Sequence, residues 1–74
     1  MKRSGKLSDA LACYKTALDL DPLNSVYLYN TGVLYSATEN PGQAIDVLER
    51  AIELNNENVY AYIALGDAYE KKKD

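Results

Sequence analysis

This chain of 74 residues contains no histidine, no tryptophan and no phenylalanine, and has a single cysteine, Cys13. Without histidine there is no imidazole to move protons near neutral pH and none to ligate a metal. One thiol can form neither an internal disulfide nor a thiolate cluster, so no cross-link or metal is expected to staple the fold. Such sparing use of cysteine fits a reducing, cytoplasmic compartment. Positive charge is also scarce. The 8 Lys and Arg face 11 Asp and Glu, and the net charge of −3 argues against a nucleic-acid footprint. Apolar runs are only a few residues long, so no membrane-spanning segment is expected. The basic start, Met1-Lys2-Arg3-Ser4-Gly5-Lys6, is not followed by an apolar run of signal-peptide length.

What remains is a globular composition, 47% hydrophobic and 26% charged, with length for one domain and no second core. A core this small seldom supplies more than roughly 3–5 kcal/mol of stability unaided. Another source of stability is needed, and the sequence points to repetition. At a shift of 34 residues, Ala10 falls on Ala44, Ala17 on Ala51, Leu20 on Leu54, Asn24 on Asn58, Gly32 on Gly66 and Tyr35 on Tyr69. Leu11/Ile45, Tyr14/Leu48, Leu18/Ile52 and Asp19/Glu53 are conservative pairs at the same shift. Small residues, apolar residues and a helix-capping type each land on their own kind.

Three breaks divide the chain: Asp21-Pro22-Leu23-Asn24, Asn40-Pro41-Gly42 and Asn55-Asn56-Glu57-Asn58. Asn24, Asn40 and Asn58 are natural N-caps, because an Asn oxygen can accept from free first-turn N–H groups. Pro41 suits a first helical position, where no N–H is needed. These signals predict four helices over about 7–20, 25–38, 41–54 and 59–72. Connections this short require antiparallel neighbours.

Apolar and small residues recur at steps of three and four on each predicted helix. The stripes are Ala10, Tyr14, Ala17 and Leu18; Leu28, Thr31, Gly32 and Tyr35; Ala44, Leu48, Ala51 and Ile52; and Tyr62, Leu65, Gly66 and Tyr69. A glycine within a helix costs about 1 kcal/mol against alanine. Finding one at both Gly32 and Gly66 predicts close helix approach there, with the alanines as matching small residues and Tyr35, Leu48 and Tyr69 filling the space beside them.

These residues resemble the tetratricopeptide repeat (TPR) family. Its aromatic-x2-Leu-Gly-x2-Tyr run is matched by Tyr62, Leu65, Gly66 and Tyr69. Leu28, Thr31, Gly32 and Tyr35 match it with Leu for the aromatic and Thr for the Leu. Its Ala-x3-aromatic stretch is matched by Ala10 and Tyr14, then by Ala44 and Leu48. The motif's terminal Pro is Pro22 at the first boundary, with Asn56 at the second. Its turn Gly is Gly5 in the first unit and Glu39 in the second, where Asn40-Pro41-Gly42 is expected to make the turn instead. The resemblance implies an all-α chain of antiparallel helix-turn-helix repeats, a fragment of a right-handed α-solenoid with helix order B-A-B-A. Residues 1–24 correspond to the second half of one repeat, 25–58 to a complete repeat and 59–74 to the first half of another.

In this family the A helices line a concave face that receives a peptide or helix. The resemblance and the helical spacing together select Val26, Tyr29, Asn30, Val33 and Ser36 on the second helix, and Tyr60, Ile63, Ala64, Asp67 and Glu70 on the fourth. The alternative is that these side chains pack between neighbouring A helices. Some family members grip a chaperone's C-terminal carboxylate with Lys, Asn and Arg. Only Asn30 matches that clamp, so none is expected here. The outermost helices imply a second surface, Tyr62, Leu65 and Tyr69 on one and Leu11 and Tyr14 on the other, through which copies of the chain could join into a homo-oligomer. The other expectation is that the chain is a segment of a longer array.

Elsewhere, Cys13 reads as a small packing residue, since no His is present to activate it. Asp19, Asp21, Glu49, Glu53 and Glu57 read as solvated helix faces and ends, and Lys71-Lys72-Lys73 as a solubilising tail. Seven tyrosines without Phe or Trp suggest rings that keep a polar end at water or a hydrogen-bond partner. The expected function is a protein-interaction scaffold that binds a protein or peptide partner, with no enzymatic activity, no cofactor and no metal, and with neither nucleic acid nor membrane as partner.

Overall fold

A computed structural model describes residues 4–73, folded as α1 (Ser4–Leu20), α2 (Ser25–Ala37), α3 (Pro41–Leu54) and α4 (Val59–Lys73). Helix starts and stops follow the chemistry of the breaks. Asn24 has extended backbone angles (φ −85°, ψ 107°), and its Oδ1 accepts from the Tyr27 N–H at 3.0 Å. Asn58 caps α4 in the same way, accepting from the Ala61 N–H at 3.2 Å. Asn40 holds the N-cap position of α3, but its side chain makes no capping bond. Its Nδ2 donates instead to Thr38 O (3.1 Å) and Thr38 Oγ1 (3.0 Å). Pro41 stands at the start of α3 and removes one N–H that a cap would otherwise have had to satisfy.

Glu39, not Asn40-Pro41-Gly42, makes the turn between α2 and α3. Its φ of 65° is the only positive value among the described non-glycine residues, and no glycine among the described residues has one. The Glu39 N–H donates to Ser36 O (3.2 Å) and the Asn40 N–H to Tyr35 O (2.8 Å). This pair of bonds closes a helix C-terminus through one left-handed residue. Gly42 lies inside α3, and Gly5 lies in the first turn of α1 and makes no turn between helices.

Each helix packs on the next, and α2 also touches α4. The result is a slab of 36 × 31 × 16 Å. Its core is narrow: Leu28, Tyr35, Ala44, Leu48, Ala51, Ala61 and Ala68 are the buried apolar residues. The four alanines let helix axes approach closely, so α2, α3 and α4 interlock with few large side chains. Thr31 stands where the repeat pattern prefers leucine. It is buried, and its hydroxyl donates to Tyr27 O at 2.7 Å, so no polar atom is left without a partner.

The predicted contact of glycine on alanine is corrected to glycine on leucine. A Cβ at Gly32 would run into Leu48 Cγ and lie 2.7 Å from its Cδ2. At Gly66 a Cβ would meet nothing within 4 Å, so no close approach occurs there. Tyr69, expected to fill space beside that glycine, is half-exposed, as is Tyr62. The reason lies in which face of each helix is covered. On α2, α3 covers the Leu28-Gly32-Tyr35 stripe. On α4 the buried residues are Ala61 and Ala68 on a neighbouring stripe; of the repeat-equivalent stripe only Leu65 packs against the core, and Tyr62, Gly66 and Tyr69 stay exposed. Ala61 and Ala68 are spaced seven apart on one face, which is the signal that could have identified them. Cys13, read as a packing residue, is exposed.

Candidate functional site

The A-type helices α2 and α4 run parallel, because each is antiparallel to α3 between them. Between them opens a trough of about 780 Å³ lined by Tyr29, Val33, Ser36 and Ala37 from α2 and by Tyr60, Ile63, Ala64, Asp67, Glu70 and Lys71 from α4. On α4 these positions follow steps of three and four, so one face of the helix supplies them all. Tyr60 is 69% exposed and Ile63 57%, high values for large apolar side chains in a small domain. Tyr29 packs partly against the core beneath, so one wall of the trough is anchored.

Of the residues selected from the sequence, Tyr29, Val33, Ser36, Tyr60, Ile63, Ala64, Asp67 and Glu70 come together in this trough. Val26, 58% exposed, and the half-buried Asn30 do not line it. Ala37 and Lys71 line it although the sequence pattern did not select them. Lys71 Nζ donates to Ser36 O at 3.2 Å, tying the end of α4 to the end of α2. That bond takes Lys71 out of the solubilising tail and makes it part of the trough. A single lysine in a run of three carries no sequence signal that could distinguish it.

The trough is graded in character. Its N-terminal part is aromatic and aliphatic, through Tyr29, Val33, Tyr60 and Ile63. Its C-terminal part is polar, through Ser36, Asp67, Glu70 and Lys71. The span from Tyr60 to Glu70 is about 15 Å along the helix axis.

The residues selected for self-association occupy a different surface. Tyr62 and Tyr69 flank Gly66 on the open face of α4. The Tyr69 hydroxyl donates to Glu49 Oε2 at 2.9 Å, and this bond to a carboxylate raises its pKa above the usual tyrosine value, reinforced by the negative charge of Glu49. Leu65 and Leu11 pack against the core, and Tyr14 meets Tyr27 edge to face with ring centroids 6.2 Å apart. Among the described residues no cluster of His, Cys, Asp and Glu could hold a metal, and no helix is long and apolar enough to cross a membrane.

Antiparallel helix pairs repeating at a fixed interval, with an open face on the A-type helices, define a helical repeat module. The chain belongs to the TPR repeat family, whose model matches residues 2–38 and 42–73. It is 37% identical over 62 residues to the small glutamine-rich tetratricopeptide repeat-containing protein of Dictyostelium discoideum, covering 84% of this chain and 19% of that protein. It is 34% identical over 65 residues to the BBSome complex member BBS4 homolog of Drosophila melanogaster, covering 88% of this chain and 13% of that protein. It is 31% identical over 70 residues to the probable UDP-N-acetylglucosamine–peptide N-acetylglucosaminyltransferase SPINDLY of Hordeum vulgare, covering 95% of this chain and 7% of that protein. The chain thus spans less than a fifth of the length of these relatives. TPR repeats in general mediate protein–protein interaction, and the family is typically a non-enzymatic scaffold.

Proposed function

We propose that this chain is an interaction scaffold, without catalytic or cofactor chemistry of its own, whose trough between α2 and α4 receives a segment of a protein partner. The observation that carries the reading is the exposure of Tyr60 and Ile63 across an open trough from Tyr29 and Val33. Large side chains held on rigid helices provide contact area at low entropic cost, so a segment buried against them gains affinity without ordering the receptor. Asp67 belongs to this recognition surface, and Val26 and Asn30 extend it along α2. Residues 25–58 form the complete repeat of the array, with half-repeats on either side. The exposed Cys13 thiol suits a reducing, cytoplasmic setting, and the net charge of −3 suits a protein partner better than nucleic acid.

The test is selection of short random-sequence peptides on the immobilised chain, followed by affinity measurement on Ile63→Ser and Tyr60→Ser. Both side chains are exposed, so thermal unfolding should barely change while affinity falls about tenfold, as for loss of an apolar anchor. Unchanged affinity in both variants would sink the reading.

A second reading is supported by the open notch at Gly66. At Gly32 the corresponding notch holds Leu48, and the residue one repeat before Leu48 is Tyr14 on α1. The α4 face of Tyr62, Leu65 and Tyr69 could therefore take the α1 face of Leu11 and Tyr14 from a second copy. Such a contact is head to tail and closes into a ring or extends as a filament. Sedimentation over a concentration series should show self-association that Tyr62→Lys removes and Ile63→Ser leaves intact. A monomer at every concentration would rule it out.

A further inference from the structure

We propose that the segment received by the trough carries a lysine or arginine on the C-terminal side of the receptor helices, recognised by Asp67 and Glu70, while its apolar side chains lie over Tyr29, Val33, Tyr60 and Ile63. This inference rests on the trough reading above and specifies the chemistry of its occupant.

Three observations converge on that end of the trough. Asp67 and Glu70 are exposed and lie on the same face of α4 as Ile63, one and two turns further on, so a bound segment passing the apolar part meets them next. The C-terminus of α2 ends beside them. Its carbonyl groups carry partial negative charge, which favours a cation at this position. And the chain already places a cation there, because the ammonium of Lys71 donates to Ser36 O at 3.2 Å. Lys71 answers in part, from within the chain, the negative potential of this corner. A partner's basic side chain would join or displace it.

This arrangement is the reverse of a site for an acidic segment. An incoming carboxylate would face Asp67, Glu70 and the end of α2, with Lys71 the one cation among the lining residues. Specificity would then come from repulsion as much as attraction, with acidic segments rejected at the same place where basic ones are held. Because the groups are exposed, each contact should be modest and salt-dependent.

The probes are the tightest peptides selected from the random-sequence library, fluorescein-labelled, and the same peptides with each Lys and Arg replaced by Gln. The selected set should be rich in Lys and Arg. The double variant Asp67→Asn, Glu70→Gln should weaken the basic peptides about three- to tenfold and leave the Gln forms unchanged. Lys71→Met should strengthen the basic peptides about two- to threefold, because a competing ammonium is gone. The control Asp46→Asn, Glu57→Gln makes the same change in net charge outside the trough and should have no effect. If Ile63→Ser weakens binding but the Asp67/Glu70 variant does not, or if Lys71→Met weakens the basic peptides, the charge inference is wrong and the trough reading stands. If no peptide is captured, or Ile63→Ser and Tyr60→Ser have no effect, the trough reading fails and this inference with it.

Discussion

Leu48 fills the space that Gly32 leaves by having no side chain. The leucine is fully buried on α3, and a Cβ on residue 32 would collide with its Cγ. The pair locks α2 to α3, next to Tyr35 and Ala44.

Gly32→Ala should therefore destabilise, although alanine is the better helix former. Leu48 cannot move aside from a closed core, and overpacking of this kind costs about 1–3 kcal/mol. Gly66→Ala, the same substitution one repeat later, meets nothing and should stabilise by up to about 1 kcal/mol through helix propensity. Urea unfolding of the two variants should move in opposite directions. Equal shifts would contradict the packing described.

Leu48→Ala should cost about 2–5 kcal/mol, the range for emptying a buried leucine site. For a domain of this size that approaches the whole stability, so loss of the helical circular dichroism signal is the expected readout.

Glu39→Gly should stabilise. Glu39 holds the left-handed conformation (φ 65°) at the end of α2, where a side chain is strained and glycine is not. The expected gain is about 0.5–1 kcal/mol in chemical unfolding. A loss would mean that the Glu39 side chain contributes more than the strain it bears.

The asparagines at the three breaks should differ. Asn24→Ala and Asn58→Ala each remove a bond to a first-turn N–H and should cost about 1 kcal/mol. Asn40→Ala removes bonds to Thr38 only and should cost less. Thermal unfolding of the three single variants checks the order.

Tyr69 should titrate above the ordinary tyrosine value, since ionising it breaks the bond to Glu49 and places two negative charges side by side. A raised pKa in the folded state means that its stabilising effect is fully present below the ordinary tyrosine value of about 10 and is lost as pH rises through the higher folded value. Glu49→Gln should bring the Tyr69 phenol back towards the ordinary value, followed by the ring resonances across an alkaline titration.

The limits of legibility follow from particular residues. The breaks at Asn24, Asn40 and Asn58 could all be read because turn and cap signals are local chemistry within a few residues. That the Asn40 side chain makes no capping bond could not be, because its backbone N–H and side chain both turn back to α2 after Glu39 takes the left-handed conformation. Leu20 and Leu54 recur at the repeat interval yet lie exposed at helix ends, so recurrence of an apolar residue did not mean burial. Most of the trough lining was legible because helical spacing groups Tyr60, Ile63, Asp67 and Glu70 on one face. Lys71 was not, since its role depends on how near the end of α2 comes.

The sequence by itself determined the four helices, their antiparallel order and the repeat interval, because periodicity, caps and short connections act over a few residues. Only the tertiary structure decided which stripe of each helix is covered. Gly32 and Gly66 occupy the same place in the same local pattern, yet a neighbouring side chain fills one and nothing meets the other. Burial depends on the helix that packs alongside, and that relationship is written in no single segment of the chain.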